Sequence, residues 1–232
     1  MESVTIKDRL AKVHRTIAEA AEAAQRDKKD ITLVCVSKNH PPTKIVEALE
    51  AGEYQFGENR VQEWEQKYEL LSRETDAIHW HLIGHLQRNK VKDVIGKVDL
   101  IHSVDSIKLI REIDRRSRNR GVKTDILLQF NIAEEESKHG FEADEFETAL
   151  SACAKCEGIR LKGLMTMAPF YDDPEDTVPV FQQAKELFDK MRERFPEADV
   201  LSMGMSHDYA QAIRCGATHI RIGTDIFGPR EY

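Results

Sequence analysis

Three short segments carry residue types that could do chemistry together. In LVCVSKNHP, residues 33–41, Lys38 closes an apolar run just before a turn containing Pro41 and Pro42. Burial disfavours the ammonium form and lowers a lysine's pKa. The neutral amine is what an aldehyde needs to form an imine. Taken alone, a lysine at a strand end more often simply reaches solvent. In SMGMSHD, residues 202–208, Gly204 permits close backbone approach. Ser206 offers a hydroxyl and an amide where a helix over 207–215 is expected to begin. In RIGTDIFG, residues 221–228, Gly223 and Thr224 directly follow the last apolar run. Turn and first-turn helix amides are unpaired and point outward, which suits phosphate. Arg221 lies two residues before Gly223, on the same strand face. An arginine aimed into a core needs a partner, and because guanidinium only donates, a pyridine nitrogen qualifies. That nitrogen would stay unprotonated, which leaves the ring a weak electron sink.

Other motifs are less decisive. GENRVQE, residues 57–63, sets Asn59 and Arg60 at a strand-to-helix turn, where Asn59 could donate to or accept from a ring substituent. Glu58 or Arg60 could instead pair with a neighbouring helix. HWHLIGHLQRNK, residues 79–90, invites a zinc reading, with His79 and His81 on one strand face and His85 beyond Gly84. No nearby carboxylate or cysteine completes a ligand set, so these histidines are read as pocket walls or supports and no metal is expected. Met165, Met167, Met203 and Met205 suit core filling or a soft pocket wall, and Met203 is carried forward as a pocket residue. Cys153 and Cys156 have the C-x-x-C spacing, but they fall on an amphipathic helix with no second pair.

Something must hold these segments in register. Short apolar runs recur at 31–37, 54–57, 78–84, 100–103, 125–131, 160–166, 200–203 and 219–222. Amphipathic stretches lie between them, at 42–51, 59–72, 87–95, 106–119, 143–155, 178–195 and 207–215. Ser106 can cap the fourth of these and Gly121 can end it. Eight strand–helix units with an extra helix in front predict a single α/β domain over 1–232, a TIM-type (β/α)8 barrel. A doubly wound open sheet is the alternative, but no G-x-G-x-x-G follows the first strand. In a barrel, strand C-termini form the active face, and the loops after strands seven and eight often bind phosphate. Lys38, Asn59, Ser206, Gly223 and Thr224 would all gather at that end.

Composition narrows the classes. The 232 residues are 41% hydrophobic and 32% charged, with a net charge of −7, so no global pull toward nucleic acid exists. The basic run at Arg115, Arg116, Arg118 and Arg120 reads as a solvated helix face. Four cysteines are too few for a disulfide scaffold at this length. The first residues lack an apolar signal core, and no stretch is long enough to span a bilayer, so a cytoplasmic protein without membrane contact is expected.

Taken in order, VSKNHP, GENRVQE, WHLIGHLQRNK, GLMTM, SMGMSHD and RIGTDIFG resemble the YggS/PROSC family, the pyridoxal 5′-phosphate (PLP) homeostasis proteins. The resemblance runs from about Lys38 to Gly228. It implies a barrel of the alanine racemase N-terminal type, with PLP as an imine on Lys38. It also implies phosphate contacts at Ser206, Gly223 and Thr224, a ring-nitrogen contact at Arg221, and Asn59 near the ring. Apo PLP-dependent enzymes would be possible recipients. Racemases of this fold add a domain that supplies a tyrosine base, and this sequence stops at Tyr232, so no catalytic residue and no efficient turnover are expected. An open monomer able to exchange its imine with other amines follows. A narrow racemase or lyase is the competing reading; a Schiff-base aldolase or a scaffold is more remote.

Overall fold

The computed structural model describes residues 4–135 and 139–229. Eight parallel strands close a barrel in strict sequence order, the eighth pairing with the first. The strands are β1 Thr32–Val36, β2 Gln55–Glu58, β3 His79–Leu82, β4 Leu100–Val104, β5 Thr124–Gln129, β6 Ile159–Met165, β7 Val200–Ser202 and β8 His219–Ile222. The helices are α1 Ile6–Ala23, α2 Pro42–Glu50, α3 Val61–Leu71, α4 Val91–Val94, α5 Ile107–Arg120, α6 Phe146–Cys153, α7 Val178–Arg194, α8 Tyr209–Arg214 and α9 Thr224–Phe227. The open-sheet alternative is thereby excluded.

Strand alternation divides the barrel into two cores. Outward residues such as Leu33, Phe56, Ile101, Leu164 and Ile220 pack under the helices in the large apolar core. Inside, Leu100, Leu127, Met165 and Val200 form a separate small cluster. The extra helix has a defined place. Its eighth-unit counterpart, α9, has only four residues, too few to cover a strand pair. The 18-residue α1 packs against α8, α9 and α2, with Ile6, Leu10, Val13 and Ile17 as its buried stripe. A capping box of Thr5 and Asp8 starts it.

Several ends fall where punctuation predicts. Ser106 Oγ accepts from the Leu109 amide, and Gly121 ends α5 in the left-handed conformation, φ 69°. Three expected helices are shorter, and the one over 143–155 becomes a 3-10 turn at Ala143–Glu145 followed by α6. The stretch from Gln87 becomes a 3-10 turn at Arg88–Lys90 followed by the four-residue α4. The helix expected from His207 begins only at Tyr209. There the Asp208 carboxylate accepts from the Met205 amide at 2.6 Å, which closes a separate turn holding Ser206 and His207 outside the helix. Among the described residues, no helix is long and apolar enough to cross a membrane. The expected tail at Glu231 and Tyr232 lies outside the described residues.

Candidate functional site

A cavity of about 580 Å³ opens at the C-terminal ends of the strands. Lys38, Asn59, Ser206, Arg221, Gly223 and Thr224 all line it. Lys38 and Gly223 come from neighbouring strands, since β1 pairs with β8 with Cys35 opposite Ile222. The fit between these strand ends is close: a Cβ on Gly223 would lie 3.2 Å from the Val36 carbonyl oxygen. A Cβ on Gly84 would lie 2.3 Å from the Asn59 carbonyl oxygen, so a bare glycine at the end of β3 lets the Asn59 loop settle there.

Met203 is the exception among the expected pocket residues. It is fully buried in the outer core, not along the cavity. Ser202 points inward, so the next residue, Met203, points to the helices. Met205 lies in the loop beyond β7, where the strand alternation no longer holds, and lines the cavity.

The turn carrying Lys38 is locked from beneath. The Lys67 ammonium of α3, almost wholly buried, donates to the Ser37 carbonyl at 2.8 Å and to Glu58 and Glu63 at 2.7 Å each. Ser37 Oγ donates to the same Glu58 oxygen at 2.7 Å. The Asn39 amide, at φ 61°, donates to Glu63. Burial pushes the Glu58 carboxyl up, while Lys67 and Ser37 pull it back. Glu58 therefore does pair with a neighbouring helix. The sequence reading missed Lys67, whose only signal was its place one helical turn after Glu63.

Arg221 already has protein partners. One Nη donates to Ser202 Oγ at 2.6 Å and the other to the Thr166 carbonyl at 3.0 Å, which occupies two of its five N–H groups. Burial pulls its pKa down to about 10, with the Asp208 carboxylate opposing. From Ser202 a chain of polar contacts crosses the barrel interior. Ser202 Oγ meets His102 Nδ1 at 2.9 Å, His102 Nε2 meets His81 Nδ1 at 2.8 Å, and His81 Nε2 meets Gln55 Oε1 at 2.7 Å. The direction of the chain follows from its far end. Gln55 Oε1 only accepts, so His81 carries its proton on Nε2. His102 must then donate from Nε2, which leaves its Nδ1 to accept from Ser202. Burial lowers the His81 pKa to about 3 and holds His102 well below the usual range, so both rings are neutral. His219 beside them falls to about 4 for the same reason. His81 is thus a support, as read from sequence. His79, on the same strand face, sits at the open bottom beside Asp99.

His85 lines the cavity, as expected of a wall residue. Asp105, directly after β4, and His139, in the connection after β5, come up beside it, and sequence spacing did not reveal them. The four cysteines are free. Burial drives the Cys153 thiol up to about 12, which suits a packing residue and not a nucleophile.

Over residues 9–231 the sequence matches the alanine racemase N-terminal domain family, the class to which a barrel built this way belongs. Within that class, the chain belongs to the pyridoxal phosphate homeostasis protein family. It is 41% identical to the pyridoxal phosphate homeostasis protein of Aquifex aeolicus (strain VF5), over 97% of this chain and 98% of that one. Among solved structures, a Bifidobacterium adolescentis protein superposes with TM-score 0.91 at 34% identity, covering 96% of this chain and 94% of that chain. PipY of Synechococcus elongatus PCC7942 with PLP bound superposes with TM-score 0.80 at 36% identity, covering 91% of this chain and 100% of that chain.

Proposed function

We propose that this chain is a single barrel over residues 1–232 that holds PLP as an imine on Lys38 and passes it on by imine exchange, without efficient turnover of amino acids. The reading rests on one observation above all: a single cavity gathers an amine at the end of β1, a guanidinium in β8 and two turns suited to phosphate. The residues fit the cofactor's chemistry part by part. Lys38 offers the amine for the aldehyde. Gly223 and Thr224, with the start of α9, offer amides to the phosphoryl group, and Ser206 adds its hydroxyl. Arg221 faces the ring nitrogen as a donor that cannot give up its proton readily, and Asn59 lies beside the ring. PLP bound in this way supplies an exchangeable aldehyde, while a ring nitrogen left unprotonated supports little carbanion chemistry. The PLP-bound PipY structure and the naming of the relatives support the cofactor. A monomer that releases PLP to apo-enzymes in the cytoplasm completes the reading.

The purified protein should show a visible imine absorbance with PLP, and borohydride should fix the label on the peptide containing Lys38. Lys38→Ala should abolish both. A screen of D- and L-amino acids should show no substantial racemisation or decarboxylation. A colourless protein with added PLP overturns the site. Fast turnover of one amino acid leaves the site intact and replaces carriage with a narrow racemase or lyase.

A further inference from the structure

Three side chains at the cavity mouth form a cluster that the proposed cofactor site leaves unused. His85 follows β3, Asp105 follows β4, and His139 lies in the connection after β5. Their donor atoms all lie within 4.8 Å of one another. Asp105 Oδ2 is 2.8 Å from His85 Nδ1 and 3.9 Å from His139 Nδ1. The two imidazole rings stack, with centroids 4.1 Å apart and planes 16° apart. Both rings therefore turn the same nitrogen toward one carboxylate oxygen of Asp105, whose side chain is only 9% exposed.

A hydrogen bond accounts for His85 but not for His139, whose nitrogen stands too far from the oxygen to bond it directly. A cation accounts for all three groups. Two imidazoles and one carboxylate are a borderline donor set, and they leave coordination positions open. Adjacent ligands around a zinc-sized ion, with bonds of about 2.1 Å, lie about 3–3.5 Å apart. The distances of 2.8 and 3.9 Å bracket that spacing, so a small rotation of the more exposed His139 ring completes it. The supporting groups are in place. Gln129 Nε2 donates to the His139 carbonyl at 2.7 Å, and Phe141 pairs back to the strand through the Gln129 carbonyl at 2.8 Å.

We propose that His85, Asp105 and His139 bind one divalent transition-metal ion of the zinc type at the rim of the cofactor cavity. His85 and His139 also line the cavity that Lys38 lines, so a bound ion would sit at the rim of the same space. An amine arriving there with its own carboxylate, as an amino acid does, would meet a ligand position for that carboxylate. That last use rests on the proposed PLP site; the metal site itself does not.

The test uses full-length, tag-free protein stripped of metal and kept free of PLP. It is titrated with CoCl2 by ligand-field absorbance and with ZnCl2 by calorimetry. One equivalent of either ion should bind, and His85→Ala, Asp105→Asn and His139→Ala should each weaken binding at least ten-fold. The surface variant His139→Ala keeps the test decisive if Asp105→Asn fails to fold. Absence of stoichiometric binding, or affinity unchanged in His139→Ala and His85→Ala, overturns the proposal and leaves a simple His85–Asp105 hydrogen bond. Loss of PLP colour in Lys38→Ala with cobalt binding retained separates this site from the cofactor site.

Discussion

At the scale of single residues, the barrel interior works by donor and acceptor accounting. Arg221 only donates, Gln55 Oε1 only accepts, and Ser202, His102 and His81 relay between them with every proton assigned. The chain anchors the guanidinium before any ligand arrives, which limits the entropy lost when it meets one. Ser202→Ala removes the middle hydroxyl and leaves His102 Nδ1 buried without its donor. An unpaired buried polar atom costs about 1–3 kcal/mol, and urea unfolding should register a loss of that size. Nitrogen-15 spectra of the parent protein at neutral pH should show His81 and His102 both protonated at Nε2. Signals from the Nδ1–H form would reverse the assigned direction.

At the scale of elements, the site depends on strand ends that approach more closely than side chains allow. The loop after β2 runs against the end of β3, and Gly84 gives it room. Gly84→Ala should force the Asn59 backbone outward, because the contact at 2.3 Å is with backbone and not with a yielding side chain. A destabilisation of about 1–3 kcal/mol is expected from such overpacking. PLP affinity should fall with it, since Asn59 and Lys38 share the cavity wall. Unaltered stability and unaltered PLP titration in this variant would remove the argument. The 3-10 turn and short α4 after β3 are a related case. The sequence from Gln87 to Ile95 has helical periodicity, yet only four residues form α-helix before Gly96 at φ 71°.

At the scale of the whole molecule, the buried titratable groups set the response to pH. His81, His102 and His219 all have lowered pKa values in the fold, the first and third about 3 and 4. The unfolded chain takes up protons on these rings near pH 6.5, whereas the folded chain does not. Unfolding therefore binds protons as pH falls, and stability falls with it, from about 6.5 down through the folded values. Glu58 and Asp208 have raised pKa values and act in the opposite direction at the acid end. Asp225 and His14 are raised as well, but the three buried histidines are shifted more deeply than any of these groups, so the net trend is a loss. Urea midpoints should decline steadily below pH 6.5, and His219→Gln should flatten the decline. A pH-independent midpoint between 4 and 7 would mean that the three rings are not buried neutral.

Local pattern carried much of this protein. Apolar runs alternating with amphipathic stretches are enough to specify eight β–α units, because each must bury one face. The glycines, Lys38 and Arg221 announce themselves because few other residues satisfy their geometry or chemistry. Alternation along β7 would also have placed Met203 outward, had it been read from Ser202. What local pattern could not supply is anything that depends on closure. Ser202 in β7 meets His102 in β4 across the barrel interior, three strands around and 100 residues away in the chain. Asp105 and His139 reach His85 only because the connections that follow three consecutive strands converge at one rim. Such contacts follow from strand register and barrel shear, which are properties of the closed sheet and not of any segment within it.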